Sequence, residues 1–379
     1  MYPNLSYWER DTFFKGIDVA VIGSGIVGLS AAIHLRERSP GLRVAVIERG
    51  VLPLGASTRN AGFACFGSIS ELLDDLSERS ESEVWTLVER RWQGLRRLRE
   101  RLGDAAIGYE EKGGYELFRA EEYVEFERCA DHIQSFNQQL SQLIGRKDVY
   151  VQAPEQIEKS GLRGLGGLIK NRAEGQIHTG RMMQALWQLA RSKGVEFYNG
   201  IEITQLETQS NEVLLHTAQG WTLHCAQVLV ATNGFARKLL PELAVQPARN
   251  QVLITQPVAG LRLKGCFHYD RGYFYFRDVE GGRILLGGGR NLAPEEEATD
   301  QFGHTPLIQE ALLKLLREVI LPQQKVEIDT WWSGILGIGT EKSPIIRRLN
   351  ERLSVAVRMG GMGIAIGSLV GEEGAALII

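Results

Sequence analysis

The strongest constraint on the fold lies in residues 19–28, which read Val-Ala-Val-Ile-Gly-Ser-Gly-Ile-Val-Gly. An apolar strand runs into three glycines with the Gly-x-Gly-x-x-Gly spacing and then into a helix start, which predicts the first βαβ unit of a dinucleotide-binding domain. Gly23 permits the tight turn, Gly25 lets the backbone approach a pyrophosphate, and Gly28 lets helix and strand pack closely. Free N–H groups and the dipole at the helix N-terminus favour the anion.

An acidic residue in the expected place strengthens this prediction. Glu48 ends the apolar run of residues 43–47, twenty positions beyond Gly28. An acid there accepts hydrogen bonds from an adenosine ribose and disfavours a 2′-phosphate, so NAD or FAD is expected rather than NADP. A tight turn without a ligand is the alternative, and the two flanking strands together with Glu48 favour the dinucleotide.

Composition indicates an ordinary globular protein. The 379 residues suffice for two domains, with 44% hydrophobic and 23% charged residues. A net charge of −3 gives no electrostatic support for a nucleic-acid partner. The basic stretch Arg90–Arg101 carries apolar residues at helical spacing, which favours a solvated helix face.

The four cysteines (Cys65, Cys129, Cys225 and Cys266) are widely spaced and form no Cys-x-x-Cys pair. This spacing disfavours a disulfide framework and a zinc or iron–sulfur site, so no metal is expected and a reducing cytoplasm is the expected location. The N-terminus lacks the pattern of a signal peptide. No segment is long and apolar enough to span a bilayer.

Helix–strand alternation opens and closes the chain, while strand-rich blocks interrupt it. Residues 71–102, for example, are expected to be helical. The fold class expected is α/β, with a Rossmann-like nucleotide-binding domain built on a parallel sheet and an inserted, mainly antiparallel α+β domain. The nucleotide-binding domain is predicted to comprise residues 16–108, 176–245 and 326–379. The inserted domain is predicted to comprise residues 109–175 and 246–325.

Five motifs in order give the chain a family resemblance. They are Gly23–Gly28 with Glu48, Gly55–Gly62, Val228–Gly234 with Pro247–Gln251, Tyr273–Arg277 leading into Arg283–Gly289, and Trp332–Ile335 with Ser343-Pro344 and Gly360–Gly363. With these motifs the chain resembles the FAD-dependent D-amino-acid oxidase-like superfamily, which includes glycine and sarcosine oxidases. The resemblance covers nearly the whole chain and implies that FAD is the dinucleotide, with the inserted unit as the substrate domain.

The resemblance also implies which residues hold FAD. Those expected at the pyrophosphate are Gly23, Gly25, Ile26 and Gly28, and those at the adenosine are Glu48, Arg49 and the backbone of Ile203. Those expected along the ribityl chain and the isoalloxazine are Ser57, Thr58, Arg59, Asn60, Ala61 and Gly62, and those at the flavin N1/C2=O edge are Gly361, Met362, Gly363 and Ile364. Val27, Ala231 and Thr232 complete the predicted cofactor-binding residues.

Arg59 and Tyr275 are the predicted catalytic residues. Reduced flavin carries negative charge near N1, and a helix N-terminus supplies about half a positive charge, to which Arg59 would add a full one. Tyr275 is expected to line the substrate cavity, on the same strand face as Tyr273. A surface arginine and tyrosines packed within a sheet are the alternatives. His178 and His268 are read as structural.

Departures from the family pattern bear on the substrate. Leu336 stands near the place of an arginine that binds the substrate carboxylate in related amino-acid oxidases, although Arg290, Arg347 or Lys342 would be able to replace it. Leu285 occupies the place of a lysine that promotes reaction with oxygen in sarcosine oxidase-like members, so the electron acceptor is oxygen or unknown. No cysteine lies near residues 333–340, so FAD is expected to be non-covalent.

The branch that the chain resembles most contains gamma-glutamylputrescine oxidoreductases, which tend to begin with a stretch like Ser6-Tyr7-Trp8. The expected activity is oxidation of a C–N bond in a small amine or amino acid by hydride transfer to flavin N5, giving an imine that hydrolyses. A tRNA-modifying flavin enzyme domain and a non-catalytic flavin-binding module are the alternatives. The expected partners are therefore a small amine substrate and an electron acceptor, without nucleic acid and without a membrane span.

Overall fold

The computed structural model describes residues 4–322 and 324–379, and its strands form two large sheets and one small one. In chain order the strands are β1 (Ile17–Ile22), β2 (Val44–Glu48), β3 (Phe63–Ala64), β4 (Gly114–Arg119), β5 (Tyr150–Gln152), β6 (Leu165–Asn171), β7 (Gly175–Gln176), β8 (Glu196–Asn199), β9 (Ile203–Thr208), β10 (Val213–Thr217), β11 (Thr222–Val230), β12 (Gln246–Thr255), β13 (Cys266–Tyr269), β14 (Phe274–Val279), β15 (Arg283–Gly288), β16 (Ile328–Ile338), β17 (Ile345–Arg348) and β18 (Leu353–Val357).

The α-helices lie between these strands and at the end of the chain. They are α1 (Ile26–Arg38), α2 (Ala56–Arg59), α3 (Ile69–Glu78), α4 (Glu81–Leu102), α5 (Asp104–Ile107), α6 (Tyr123–Asp131), α7 (Ile133–Ile144), α8 (Glu155–Ser160), α9 (Thr179–Ser192), α10 (Pro306–Leu315) and α11 (Gly363–Ala376). Within the two described ranges, no helix combines the length and the apolar character needed to cross a membrane.

The first sheet has the order β17-β18-β11-β1-β2-β8, with β10 and β9 continuing from β11. The pairs β18–β11, β11–β1, β1–β2 and β2–β8 are parallel. Helices α1, α9 and α11 pack on one face, and β9, β10 and the segment 236–245 pack on the other. A parallel sheet covered on both faces needs continuously apolar strands, which β2 and β18 supply, since every residue in both is buried.

The second sheet has the order β16-β12-β15-β14-β13-β4-β6-β5 and is antiparallel except for the β13–β4 pair. Helix α10 and the π-helical turn Leu316–Ile320 pack against one face. Helices α3, α4, α6 and α7 share a second apolar cluster with β4 and β6. This mixed α/β architecture confirms the predicted fold class.

One segment departs from the predicted domain division. The prediction placed residues 326–379 with the nucleotide-binding segments, but β16 pairs with β12 from Gln246↔Ile338 to Thr255↔Ile328. Ile328–Ile338 therefore belongs to the second sheet, and the chain returns to the first sheet only with β17 and β18. Hydrogen bonds to β12 satisfy the backbone N–H and C=O groups of β16. This pairing leaves no local pattern in the sequence.

The helical stretch predicted over residues 71–102 is two helices. Helix α3 ends at Glu78, and α4 starts after Ser80, whose hydroxyl accepts from the Glu83 N–H while the Glu83 carboxylate accepts from the Ser80 N–H. This reciprocal pair is a capping box, which stabilises a new helix start.

Candidate active site

A cavity of about 600 Å³ lies where the carboxyl ends of β1, β2 and β11 meet the second sheet. This volume is within the range of sites that bind small molecules and cofactors. In sheets with parallel strands, ligands bind beyond the carboxyl ends of the strands. The position of the cavity therefore agrees with the fold.

Most predicted cofactor residues line this cavity. They are Gly23, Gly25, Ile26, Val27, Glu48, Arg49, Ser57, Arg59, Asn60, Ala61, Ile203, Ala231, Thr232, Gly361, Met362, Gly363 and Ile364. Both predicted catalytic residues, Arg59 and Tyr275, line it as well. The structure thus brings together residues from the beginning, the middle and the end of the chain.

Three predicted cofactor residues do not line the cavity, each for a local reason. A Cβ on Gly28 would lie 1.9 Å from the Gly23 carbonyl oxygen, so this glycine serves the close packing of α1 on β1. The Thr58 hydroxyl donates to the carbonyl of Pro53 at 2.7 Å, within its own turn. Gly62 packs against the carbonyl of Ile177, which a Cβ would approach to 2.4 Å.

The glycine turn after β1 has the shape that a pyrophosphate requires. Gly23 has φ +103°, and a Cβ there would lie 2.9 Å from the Ala231 carbonyl oxygen. Gly25 precedes α1, and its own Cβ would lie 2.9 Å from Ser57 Oγ. Gly25 supplies no side-chain cap to α1, and the first N–H of the helix, that of Ile26, donates to Ser57 Oγ at 2.9 Å beside the cavity.

Glu48 is buried at the cavity wall with one acceptor position to spare. Its Oε2 accepts from the N–H and the hydroxyl of Ser24 at 3.1 and 2.8 Å, and its Oε1 accepts from the Gly50 N–H at 3.0 Å. A carboxylate has about four acceptor positions, so three contacts leave room for one ribose hydroxyl. The residue therefore fits the role that the sequence assigned to it.

A second helix start faces the same cavity. Gly361 has φ +86°, which a side chain would strain, and it leads into α11 at Gly363. Met362, at the N-cap, makes no capping hydrogen bond, so the first N–H groups of α11 can donate to a ligand. Two helix N-termini at one cavity fit a group that carries a pyrophosphate and an electron-rich ring edge.

Arg59 has a fixed place between the two sheets. Its Nη1 donates to the Ser333 carbonyl at 3.0 Å, and its guanidinium lies 4.4 Å from the ring centroid of Phe302. The Trp332 indole N–H donates to the Arg59 carbonyl at 2.9 Å. Arg59 thus ends α2 and is half-buried at the cavity wall, and its catalytic role stays a prediction. Leu336, from the same strand as Trp332, also lines the cavity.

The end of the cavity that borders the second sheet is aromatic. The ring of Phe63 lies 5.1 Å from that of His268 and 5.5 Å from that of Tyr275. The Arg290 guanidinium lies 5.0 Å from the ring centroid of Tyr273. All five residues line the cavity. His268 is not among the predicted functional residues. Burial lowers the pKa of His268 to about 4, so its imidazole is neutral at pH 7.

Acidic side chains behind this aromatic end had no signal in the sequence. Burial raises the pKa of both Glu116 and Glu174 to about 7. Burial would also raise the pKa of Glu71, but Arg91 and Lys342 together lower it to about 2. These groups come from β4, the β6–β7 connection and α3, and only the folded chain brings them together.

Residues of metal-ligand type also meet here, which the spacing of the cysteines did not indicate. The Cys65 sulfur, a Glu174 oxygen and a His268 nitrogen lie within 4.8 Å of one another. Glu174 already accepts from the N–H groups of Phe66 and Gly67 at 2.8 and 3.1 Å, and burial raises the pKa of the Cys65 thiol well above its ordinary value. Both N–H groups donate to the same carboxylate oxygen, Oε1.

The sequence matches the family model of FAD dependent oxidoreductases, abbreviated DAO, over residues 18–377. The chain belongs to this family. The resemblance drawn from the five motifs is thereby confirmed, together with FAD as the cofactor. FAD fits the cavity because the glycine turn, the spare acceptor position of Glu48 and the two helix starts each match a part of that molecule.

Curated relatives and solved structures agree with the family. The chain is 26% identical to gamma-glutamylputrescine oxidoreductase of Escherichia coli over 97% of its length and 85% of the relative. It is 26% identical to glycine oxidase of Geobacillus kaustophilus, over 93% and 90%. The crystal structure of a glycine oxidase from that organism superposes with a TM-score of 0.76 at 24% identity over 95% and 94%. L-proline dehydrogenase of P. horikoshii superposes with a TM-score of 0.74 at 20% identity over 95% and 92%, which shows the shared fold.

Proposed function

We propose that this protein oxidises a C–N bond in a small amine or amino acid. The observation that carries the proposal is that one continuous cavity is lined both by the predicted FAD-binding residues and, at its aromatic end, by Tyr275. When bound, FAD supplies a hydride acceptor at flavin N5, and the imine product hydrolyses in water. Two relatives of the chain are an amine oxidoreductase and an amino-acid oxidase by name, and both support this reaction class.

The chain's own residues would bind FAD, orient the substrate and stabilise the charge that develops during the reaction. The start of α1 would hold the pyrophosphate, and Glu48 and Arg49 the adenosine ribose. The start of α11 and the Arg59 guanidinium would place positive charge where negative charge develops during the reaction. Tyr275 would form a wall of the substrate site and limit the access of water to it.

Either oxygen or another molecule would serve as electron acceptor. Leu285, at the position where related oxidases have a lysine, is buried and packs with Ala61 and Val252. An apolar contact there offers no positive charge to promote reaction with oxygen. Dehydrogenase activity therefore has the same support as oxidase activity.

The test is anaerobic titration of the purified holoprotein while the flavin absorbance band is followed. Amines without a carboxylate, N-methyl amino acids and amino acids are added in turn, and dithionite serves as the control that the flavin can be reduced. Bleaching by at least one of these compounds is expected. A flavin that dithionite bleaches and none of the amines bleaches would contradict the proposal and favour a non-catalytic flavin-binding module.

A further inference from the structure

Arg277, on β14, differs from the other buried arginines in the described part of the chain. Four arginines are buried within residues 4–322 and 324–379. Three of them contact a carboxylate: Arg91 pairs with Glu71 at 3.4 Å, Arg249 with Glu297 at 2.8 Å and Arg358 with Glu341 at 2.8 Å. Arg277 is 7% exposed, and no described carboxylate forms an ion pair with it. A buried charge without a counter-charge is costly, so this arginine requires an explanation.

Three backbone carbonyl groups hold the guanidinium of Arg277 in place. Its Nε donates to the carbonyl of Ala61, its Nη2 to that of Ile177 at 3.1 Å and its Nη1 to that of Asp278 at 3.0 Å. One side chain thus joins the second sheet to the loop after α2 and to the segment before α9. Gly62 leaves the space for this contact, because its φ is +76° and a Cβ there would lie 2.7 Å from Arg277 Nη2.

The acidic residue next to Arg277 in sequence, Asp278, is already compensated by two lysines. Its carboxylate forms ion pairs with Lys112 at 2.9 Å and Lys264 at 3.4 Å, and it accepts from the Gly265 N–H at 2.9 Å. The carbonyl oxygens that contact Arg277 accept hydrogen bonds but carry no net charge. Because arginine keeps its proton in proteins, a positive charge without a counter-charge remains inside the molecule.

This charge lies directly behind the wall of the cavity. Ala61, whose carbonyl accepts from Arg277, lines the cavity, and so does Tyr275, two residues before Arg277 on the same face of β14. Leu285 is directly opposite Arg277 in the β14–β15 ladder and packs with Ala61. Arg277 itself does not line the cavity, so it acts on a bound group through Ala61 or through its charge.

We propose that Arg277 is a positioning residue for FAD: it fixes the Ala61–Gly62 backbone at the flavin-binding wall, and its charge stabilises the reduced anion of FAD. Two electrons and one proton convert FAD into this anion, which supplies the counter-charge that no described carboxylate provides. A charge inside a protein acts over a longer distance than in water, so the guanidinium does not need to touch the ring. The inference depends on FAD, not on the amine substrate, and goes beyond the proposed function.

The test is the midpoint potential of the bound flavin, measured anaerobically with xanthine, xanthine oxidase and a reference dye. Arg277→Met is expected to weaken the binding of reduced FAD relative to oxidised FAD at least tenfold, which lowers the potential by about 30 mV for a two-electron couple. Arg277→Lys is expected to stay closer to the wild-type potential, because it keeps the charge. It should nevertheless bind oxidised FAD more weakly than wild type, because lysine lacks the planar fork that reaches three carbonyls.

A matched control is Arg317→Met, which also removes one positive charge. Arg317 is exposed and belongs to the π-helical turn Leu316–Ile320, which packs on the second sheet away from the cavity-lining residues. Its midpoint potential and its affinity for oxidised FAD are expected to equal those of wild type.

A wild-type potential in Arg277→Met would overturn the proposal, and so would equal shifts in Arg277→Met and Arg277→Lys, which would assign the effect to the backbone and not to the charge. If Arg277→Met does not retain FAD, Lys112→Met replaces it, because the freed Asp278 carboxylate then opposes the charge of Arg277. A lower potential at unchanged affinity for oxidised FAD would support the proposal, and an unchanged potential would overturn it. No amine takes part in these measurements, so a result against Arg277 leaves the proposed oxidation intact, and a flavin that no amine reduces leaves the role of Arg277 intact.

Discussion

At the scale of single residues, Glu48 contributes both to the binding of FAD and to folding. Its carboxylate satisfies the N–H groups of Ser24 and Gly50 and is only 7% exposed. Glu48→Ala should remove the ribose contact and raise the dissociation constant of FAD at least tenfold, measured by quenching of flavin fluorescence on addition to apoprotein. It should also lower the free energy of unfolding by about 1–3 kcal/mol, because buried donors lose their acceptor.

Glu196→Ala is the matched control for this substitution. Glu196 lies on β8, the strand next to β2, and forms an ion pair with Arg43 at 2.8 Å. It does not line the cavity. Its loss is expected to leave FAD affinity unchanged. Equal FAD affinity in Glu48→Ala and wild type would show that Glu48 acts only in the fold.

At the scale of elements, the contact between α1 and α11 sets the distance between the two helix starts at the cavity. A Cβ on Gly371 of α11 would lie 2.5 Å from the Val27 carbonyl oxygen and 2.9 Å from the Ala31 nitrogen, both backbone atoms of α1. Gly371→Ala should therefore force the helices apart. We expect a loss of about 1–3 kcal/mol in the free energy of unfolding, measured by urea titration, together with weaker FAD binding.

The control for overpacking is Gly41→Ala, because a Cβ at Gly41 would meet no atom within 4 Å and its φ is not positive. Its unfolding free energy should stay within about 0.5 kcal/mol of wild type. If Gly371→Ala is as stable as the control and binds FAD as tightly, the close packing of α1 on α11 does not set the cofactor site.

Across the whole molecule, local signals predicted the elements that a nucleotide requires. The glycines at 23, 25 and 28 and the apolar runs of β1 and β2 depend on neighbours in sequence, so periodicity and turn chemistry were sufficient to place them. The pairing of β16 with β12 was missed because strand partners far apart in sequence leave no local pattern. Arg290 reaches the cavity because it follows β15, which pairs with β12 and β14, and such pairing leaves no local signal; the sequence therefore named Arg290 as one of three alternatives without deciding between them.

The sequence also does not predict which carboxyl groups are buried. The buried ones couple the stability of the whole molecule to pH. Burial raises the pKa of Glu174 from its ordinary value of 4.5 to about 7. The folded state then binds more protons than the unfolded state between these values, so the free energy of unfolding falls as pH rises through this window. Between pH 5 and pH 8 the loss from this one group should be on the order of 3 kcal/mol.

Glu174→Gln tests this coupling without disturbing the local hydrogen bonds. The amide oxygen can still accept from the N–H groups of Phe66 and Gly67, which now contact Glu174 Oε1, while the charge is absent at every pH. Urea unfolding at pH 5 and pH 8 should therefore show a smaller loss of stability in Glu174→Gln than in wild type, and the exposed Glu158→Gln should behave as wild type. An unchanged loss in Glu174→Gln would mean that the pKa of Glu174 in the folded protein stays near its ordinary value, and a larger loss would mean that its charged form is stabilised, as by a cation held with Cys65 and His268.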